Sequence, residues 1–334
     1  MMETLKAAVI GVGAMGTNHA RLYSTLSDIE LVAVGDMNRE LAVNVGKKFR
    51  CKAYKDHKKL LTEARPDIVS VAVPTQGHVK VAIDCLEAGA ATLVEKPIAD
   101  TIENAKKMIE TAKIAGIPLM VGHIERFNPA VQKLKKRLKK KQLGKVFSIH
   151  ATRVGPFPHR IRDVGVVIDL AVHDIDIMRF LAESDVKRVY AETEKKIHTS
   201  CEDMLSGLIK MESGVVGVLD INWLTPEKIR ELKVIGEKGM YQVDYITQEL
   251  TFFENTHANK EEYTYQNILM GVAEGDITQI RIKKKEPLKL ELEAFIEAAR
   301  NKKKSPVSGE DGLKALEIAL AITESAEENK VIVI

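Results

Sequence analysis

A short apolar run that passes directly into a glycine-rich turn and then a helix constrains this chain more than any other feature. The run is Lys6–Ile10; the turn is Gly11-Val12-Gly13-Ala14-Met15-Gly16; helix-forming residues follow from Asn18 to Leu26. In a strand–turn–helix setting, the first glycine permits the tight turn. The second lets the backbone approach a pyrophosphate, and the third lets helix and strand pack closely. The helix N-terminus then offers free N–H groups and a favourable dipole to an anion.

The second run, Glu30–Gly35, ends in Asp36, 20 positions after Gly16. A carboxylate there accepts hydrogen bonds from a ribose 2′-hydroxyl and repels a 2′-phosphate, which favours NAD over NADP. Arg39 is the residue nearby that would hold such a phosphate, and a plain turn or cap is the other role open to Asp36. Helices are expected at Arg39–Phe49, Lys58–Ala64, Val79–Ala88 and Asp100–Ala115, with strands at Asp67–Val73, Ala90–Val94 and Leu119–Gly122. Such alternation predicts an α/β, doubly wound parallel sheet of the Rossmann type over residues 1–123. Ligands in these sheets bind beyond the carboxyl ends of the strands. That places Pro74, Thr75 and His78, then Glu95-Lys96-Pro97, then His123 on the binding edge. Lys96 would bring its ammonium there, and Pro97 stops the strand. Glu95 either orders Lys96, meets the nicotinamide ribose, or is a buried partner carboxylate.

Past His123 the texture changes. Val131–Lys141 is a strongly basic helix, read as a solvated face. Strand-like alternation follows near Val146–Val154, Lys187–Lys195, Leu205–Met211, Val215–Trp223, Arg230–Ile235 and Gly239–Val243, with helices at Glu291–Arg300 and Asp311–Glu328. Runs of strands with few helices between them predict an α+β domain, residues 124–334, built on a large, mostly antiparallel sheet; the C-terminal helices are free to pack back on the first domain. One face of such a sheet often meets a partner, so a homodimer or homotetramer is expected.

Composition excludes several classes. A net charge of +3 over 334 residues gives no case for nucleic acid or a membrane surface. No apolar stretch approaches the ~20 residues of a membrane span. The three widely separated cysteines lack metal-ligand spacing, and a strand begins at once; a reducing, cytoplasmic location without a signal peptide is expected.

A second chemical constellation is Asp163-Val-Gly-Val-Val-Ile-Asp169-Leu-Ala-Val-His173-Asp174-Ile-Asp176. Four-residue spacing on a helix puts Asp169 and His173 on one face, where a carboxylate orients an imidazole as a general base. A helix N-cap followed by an interior histidine is the plainer reading. Acids around one histidine also permit a metal, but no second histidine has matching spacing, so none is expected.

Together, Gly11–Gly16, Glu95-Lys96-Pro97 and Asp169-Leu-Ala-Val-His173-Asp resemble the glucose–fructose oxidoreductase/inositol dehydrogenase (Gfo/Idh/MocA) family of NAD(P)-dependent sugar oxidoreductases, over nearly the whole chain. The resemblance implies Lys96, His173 and Asp169 in the active site; Ala171 stands where the family commonly has glycine. Gly122-His123-Ile-Glu125-Arg126-Phe-Asn128-Pro129 and Arg153-Val-Gly-Pro-Phe-Pro-His159-Arg160-Ile-Arg162 look like the branch that oxidises nucleotide-linked amino sugars at C3, the UDP-N-acetylglucosamine 3-dehydrogenases. That implies Arg126 on the cofactor and Asn128, Arg153, His159, Arg160 and Arg162 on the substrate. Guanidinium groups crowding a Pro-interrupted loop suit a diphosphate, although a solvated basic loop has the same composition. Three other readings stay open: a free-sugar or inositol dehydrogenase, a non-catalytic NAD-binding regulator, and nucleic-acid binding through the basic helix. Lys96 and His173 both stand as proton acceptors.

Overall fold

A computed structural model describes residues 4–158, 164–197, 201–255 and 274–334. The chain divides into two compact units, Met1–Ile124 with Glu286–Glu317, and Glu125–Lys285 with Ile318–Ile334.

In the first unit, strands β1 (Leu5–Ile10), β2 (Ile29–Gly35), β3 (Lys52–Tyr54), β4 (Ile68–Val71), β5 (Ala91–Glu95) and β6 (Leu119–Gly122) form one sheet in the order β3-β2-β1-β4-β5-β6. Every neighbouring pair is parallel. Ala7–Ile10 and Ile68–Val71 are buried throughout, which explains why these strands read as unbroken apolar runs rather than alternating ones. The connecting helices are α1 (Ala14–Tyr23), α2 (Arg39–Phe49), α3 (His57–Ala64), α4 (Thr75–Glu87) and α5 (Ile102–Ala115). Asn38, Asp56 and Thr101 cap three of them by accepting backbone N–H bonds. Chain order reverses at β1, between β2 and β4, and that switch point sets the ligand crevice beside the glycine turn. The helix Pro287–Arg300 belongs to this unit; Arg300 pairs with Asp28 at 2.7 Å, and Arg21 pairs with Glu286.

The second unit is built on a nine-stranded sheet. Its strands are β7 (Val146–Pro156), β8 (Val186–Glu194), β9 (Met204–Met211), β10 (Val216–Asn222), β11 (Leu224–Gly236), β12 (Gly239–Asp244), β13 (Glu249–Asn255), β14 (Glu274–Gln279) and β15 (Ile332–Val333). The order is β14-β13-β12-β11-β7-β10-β9-β8-β15; all pairings are antiparallel except β7 with β10. Ile149, Ala151, Leu205, Ile209, Leu219, Leu232 and Val234 fill one face and form a core with Ile175 and Met178 of helix α7 (Val172–Ala182). The expected basic helix is α6 (Pro129–Lys139), capped by Asn128, with Ala130, Val131 and Leu134 inward. Lys135 is buried on it, paired with Glu183 at 2.8 Å and lying over the Phe180 ring. Among the described residues, no helix is long and apolar enough to cross a membrane.

Candidate active site

Gly11 adopts a φ of 85°, and a Cβ there would lie 2.5 Å from the Ala72 backbone. A Cβ on Gly16 would lie 1.8 Å from the Gly11 carbonyl oxygen, so both positions exclude any side chain. The space a Cβ on Gly13 would take is open. Helix α1 starts at Ala14, four residues before the sequence-based expectation, with Gly13 as N-cap and no capping side chain. Its first-turn N–H groups are thereby left for an anion. Asp36 Oδ2 accepts from the Val12 N–H at 2.9 Å and Oδ1 from the Asn38 N–H at 2.8 Å. The acid is thus tied to the glycine turn and to the start of α2. A bare turn, an uncapped helix start and a fixed carboxylate together fit a dinucleotide.

Pro74 N-caps α4 and Thr75 is its first residue. His78 is buried; its Nδ1 lies 2.9 Å from the Pro97 carbonyl and Nε2 lies 2.9 Å from that of Val73. Its ring contacts are therefore to backbone, bracing the chain where β5 ends, and burial pushes its imidazole below the ordinary histidine value. Glu95 Oε1 lies 2.9 Å from His19 Nε2, and Oε2 accepts from the Lys96 N–H at 3.3 Å. Burial alone would raise this carboxyl, but the hydrogen bond from His19 and the nearby Lys96 charge reverse that and hold it below its ordinary value. A Cβ on Gly122 would lie 3.1 Å from the Glu95 carboxyl, so that glycine makes the slot the acid occupies. Lys96, half-buried, follows at the strand end, and the Lys96–Pro97 peptide is cis.

In the second unit, the regular helix expected around Asp169 and His173 is instead a π-helical turn, Val167–Ala171, continued by α7. Asp169 lies in the wide turn and His173 in the α-helix, both half-buried. The turn is anchored at its start: the Val167 N–H donates to Glu202 Oε1 at 3.1 Å, and the Val166 N–H to the Glu202 carbonyl at 3.0 Å. One-turn π insertions of this kind recur at functional sites.

Arg153 departs from its expected setting. It lies inside β7, not in the following loop, and is 4% exposed. Its Nε and Nη2 reach Asp174 at 2.5 and 3.0 Å, and Nη1 reaches Glu125 at 3.1 Å. Burial would lower this guanidinium, but Asp174 and Glu125 raise it and hold it charged. Arg126 makes a second buried pair, 2.7 and 2.6 Å to Asp176. Two of the acids around His173 are thereby spent on arginines, and among the described residues no cluster of three or more histidine, cysteine or acidic groups could hold a metal ion. Asn128 accepts from the Ala130 N–H and donates to the Tyr245 carbonyl at 3.0 Å, a helix cap and a tie between elements. His159, Arg160, Arg162 and Asp163 lie outside the described residues.

Sequence reasoning passed over His19, Glu125, Asp174 as an arginine partner, and Arg230. Arg230 lies directly across from Arg153 on β11. Its Nη1 donates to the carbonyls of Val154 at 2.6 Å and Ile229 at 2.8 Å. Burial, then Arg153, push it down to about 10, against the pull of Asp174, Glu125 and Asp169. The missed signal for His19 was its place one helical turn after Gly16; Arg230 had no signal in the sequence.

A doubly wound sheet with this turn and a fixed acid defines a dinucleotide-binding domain. The match to known proteins is more specific. Residues 5–123 match the model of the oxidoreductase family with an NAD-binding Rossmann fold, and residues 131–242 match the GFO/IDH/MocA C-terminal domain. The chain belongs to this Gfo/Idh/MocA family of NAD-binding oxidoreductases of sugars and polyols. It is 28% identical to the UDP-N-acetylglucosamine 3-dehydrogenase of Acidithiobacillus ferrooxidans over 98% of each chain. The solved structure of that enzyme superposes with a TM-score of 0.85, covering 98% of this chain and 99% of the other. The chain is also 26% identical to the myo-inositol 2-dehydrogenase of Thermotoga maritima, over 98% and 97% of the two chains. It is 30% identical to the D-glucoside 3-dehydrogenase of Escherichia coli, over 70% and 73%.

Proposed function

We propose that this protein oxidises a secondary hydroxyl of a nucleotide-linked amino sugar, UDP-N-acetylglucosamine at C3, with NAD as hydride acceptor. Similarity to the Acidithiobacillus enzyme along 98% of both chains is the observation that carries this reading. The backbone of Gly11, Val12, Gly13, Ala14, Met15 and Gly16 would hold the pyrophosphate and Asp36 the adenosine ribose. Pro74, Thr75, His78, Glu95, Lys96 and Arg126 complete the proposed cofactor set. NAD, when bound, supplies the hydride acceptor.

Of the chain's own groups, His173, oriented by Asp169, takes the hydroxyl proton. Lys96 donates a hydrogen bond to the same oxygen as negative charge develops on it. Lys96 is the other candidate proton acceptor. On the substrate side the proposed set is Asn128, Arg153, His159, Arg160 and Arg162. The carboxylates on Arg153 leave it to shape the site, and Arg230, whose described partners are two backbone carbonyls, joins the set as a guanidinium able to meet an anion.

A second reading, a free polyol or sugar substrate, draws support from the same observation. Arg153 is neutralised by Glu125 and Asp174, which removes one expected guanidinium contact to a diphosphate. Incubation with NAD and a panel of UDP-sugars, free sugars and inositols, followed by NADH absorbance, separates the two. Turnover of UDP-N-acetylglucosamine supports the first; turnover confined to neutral polyols replaces it with the second. No NADH from any of them would return the protein to a binding role without catalysis.

A further inference from the structure

Glu95 is the last member of a hydrogen-bonded row that starts deep in the first unit. The Tyr23 hydroxyl lies 2.8 Å from Ser70 Oγ, and Ser70 Oγ lies 3.0 Å from His19 Nδ1. His19 Nε2 lies 2.9 Å from Glu95 Oε1. Tyr23, Ser70 and His19 are all 0% exposed. None of the three touches the groups that carry the proposed chemistry, yet the row ends on the residue next to Lys96.

The donor inventory favours a row that runs from Tyr23 toward Glu95. Ser70 Oγ is the described hydrogen-bond partner of the buried Tyr23 hydroxyl, so Tyr23 donates to it. Burial raises this phenol well above its ordinary value and keeps its proton in place. Ser70, already accepting, sends its own proton to His19 Nδ1. In this order Nδ1 is the bare nitrogen and the ring proton sits on Nε2. That N–H donates to Glu95 Oε1 while Oε2 accepts the Lys96 N–H, and a carboxyl that accepts at both oxygens and is held below its ordinary value is a carboxylate. The reverse order, with Nδ1–H donating to Ser70 and Ser70 to Tyr23, leaves the Tyr23 proton without its described partner in a buried site.

We propose that His19, its ring fixed by Ser70 and Tyr23, is a positioning residue for the Glu95–Lys96 pair: it holds Glu95 as an anion in a single orientation. This rests on the reading that Lys96 acts at the reacting oxygen. The remaining surroundings of Glu95 serve the same end. Its other oxygen takes the Lys96 N–H, and the bare Gly122 backbone lies on its flank. The charged or titratable groups that act on it are His19 from α1, Lys96 from its own strand end, and His78 from α4. The row orients and does not conduct: its far end is the buried Tyr23 hydroxyl, beyond which stands Glu291, also 0% exposed. Its product is a fixed negative charge beside Lys96.

The test needs no substrate in its first arm. Full-length protein labelled with nitrogen-15 in its nine histidines is examined by NMR, and the His19 ring signals are assigned by their loss in His19→Gln. A ring with its proton on Nε2 and a bare Nδ1 is expected. A proton on Nδ1, or a doubly protonated ring at neutral pH, overturns the proposal. Ser70→Ala should release the ring to populate both tautomers; a ring unchanged in that variant also overturns it.

The second arm uses whichever sugar the wild type oxidises. His19→Phe should lower kcat roughly 10-fold or more while KM and the Kd for NAD change by less than about 3-fold, as expected when a reacting group loses its placement. His19→Gln, which retains an N–H for Glu95, should recover part of the rate. Equal losses in both variants, or a loss traced entirely to weaker NAD binding, rejects the positioning role. Absence of turnover by the wild type would remove the proposed function, while the ring-nitrogen spectra still decide the direction of the row.

Discussion

Each unit surrounds a functional group with buried charge, but by opposite means. In the first, one carboxylate, Glu95, meets His19 at the end of a hydrogen-bonded row through Ser70 and Tyr23, at the end of a parallel strand. In the second, the cation Arg153 sits mid-face on an antiparallel strand and is held by two carboxylates, Asp174 and Glu125. The ionic cluster consumes the charge of its own arginine. A buried arginine is thus poor evidence of a ligand contact until its partners are known, whereas a lysine just past a parallel strand is good evidence.

The contrast can be broken or sharpened experimentally. Arg153→Ala should have the largest effect, about 3–5 kcal/mol of stability lost, because Asp174 and Glu125 are left as uncompensated buried charges. Urea unfolding measures it. A change under about 1 kcal/mol would mean that Arg153 is not the structural member of the pair of regions. Lys96→Ala should lower turnover by ~10² or more with NAD affinity and urea midpoint near wild type; wild-type turnover would remove Lys96 from the chemistry.

Acid should act more gently and through the first unit. Because the Glu95 carboxyl lies below its ordinary value of 4.5 in the fold, the native state binds fewer protons there than the unfolded chain. Its stabilisation is complete above about pH 4.5 and is lost as pH falls through the folded value. Glu95→Gln should therefore flatten the acid limb of the melting-temperature profile, and an unchanged limb would contradict the lowered carboxyl. The mildest test concerns the sheet face turned away from the core, where Leu208 is 51% and Ile277 61% exposed. We propose a homodimer or homotetramer through this face. Light scattering at micromolar concentration should show it, Leu208→Lys should weaken it, and a monomer would reject it.

The first unit is largely legible in the sequence. Gly11, Gly16 and Asp36 lie where their spacing put them, because turn, helix start and acid are local consequences of chain geometry. What was missed there was short or subtle: β3 has only three residues, and His19 looked like one more helical residue. The second unit was legible only as a class. Alternation revealed six of its strands, but β13, with its adjacent Phe252 and Phe253, carried no clean period, and β15 has two residues. The π turn at Asp169 is set by Glu202, more than thirty positions away, and the partners of Arg153 come from two other elements.

Sequence alone therefore determined the parallel sheet, the glycine turn and the lysine at the end of β5, since each follows from short-range periodicity and backbone sterics, and its motifs carried the family resemblance. Tertiary structure alone decided which charges are available. A guanidinium or carboxylate has the same letter whether it faces water or a partner, and only packing brings Asp174 and Glu125 onto Arg153, or His19 onto Glu95.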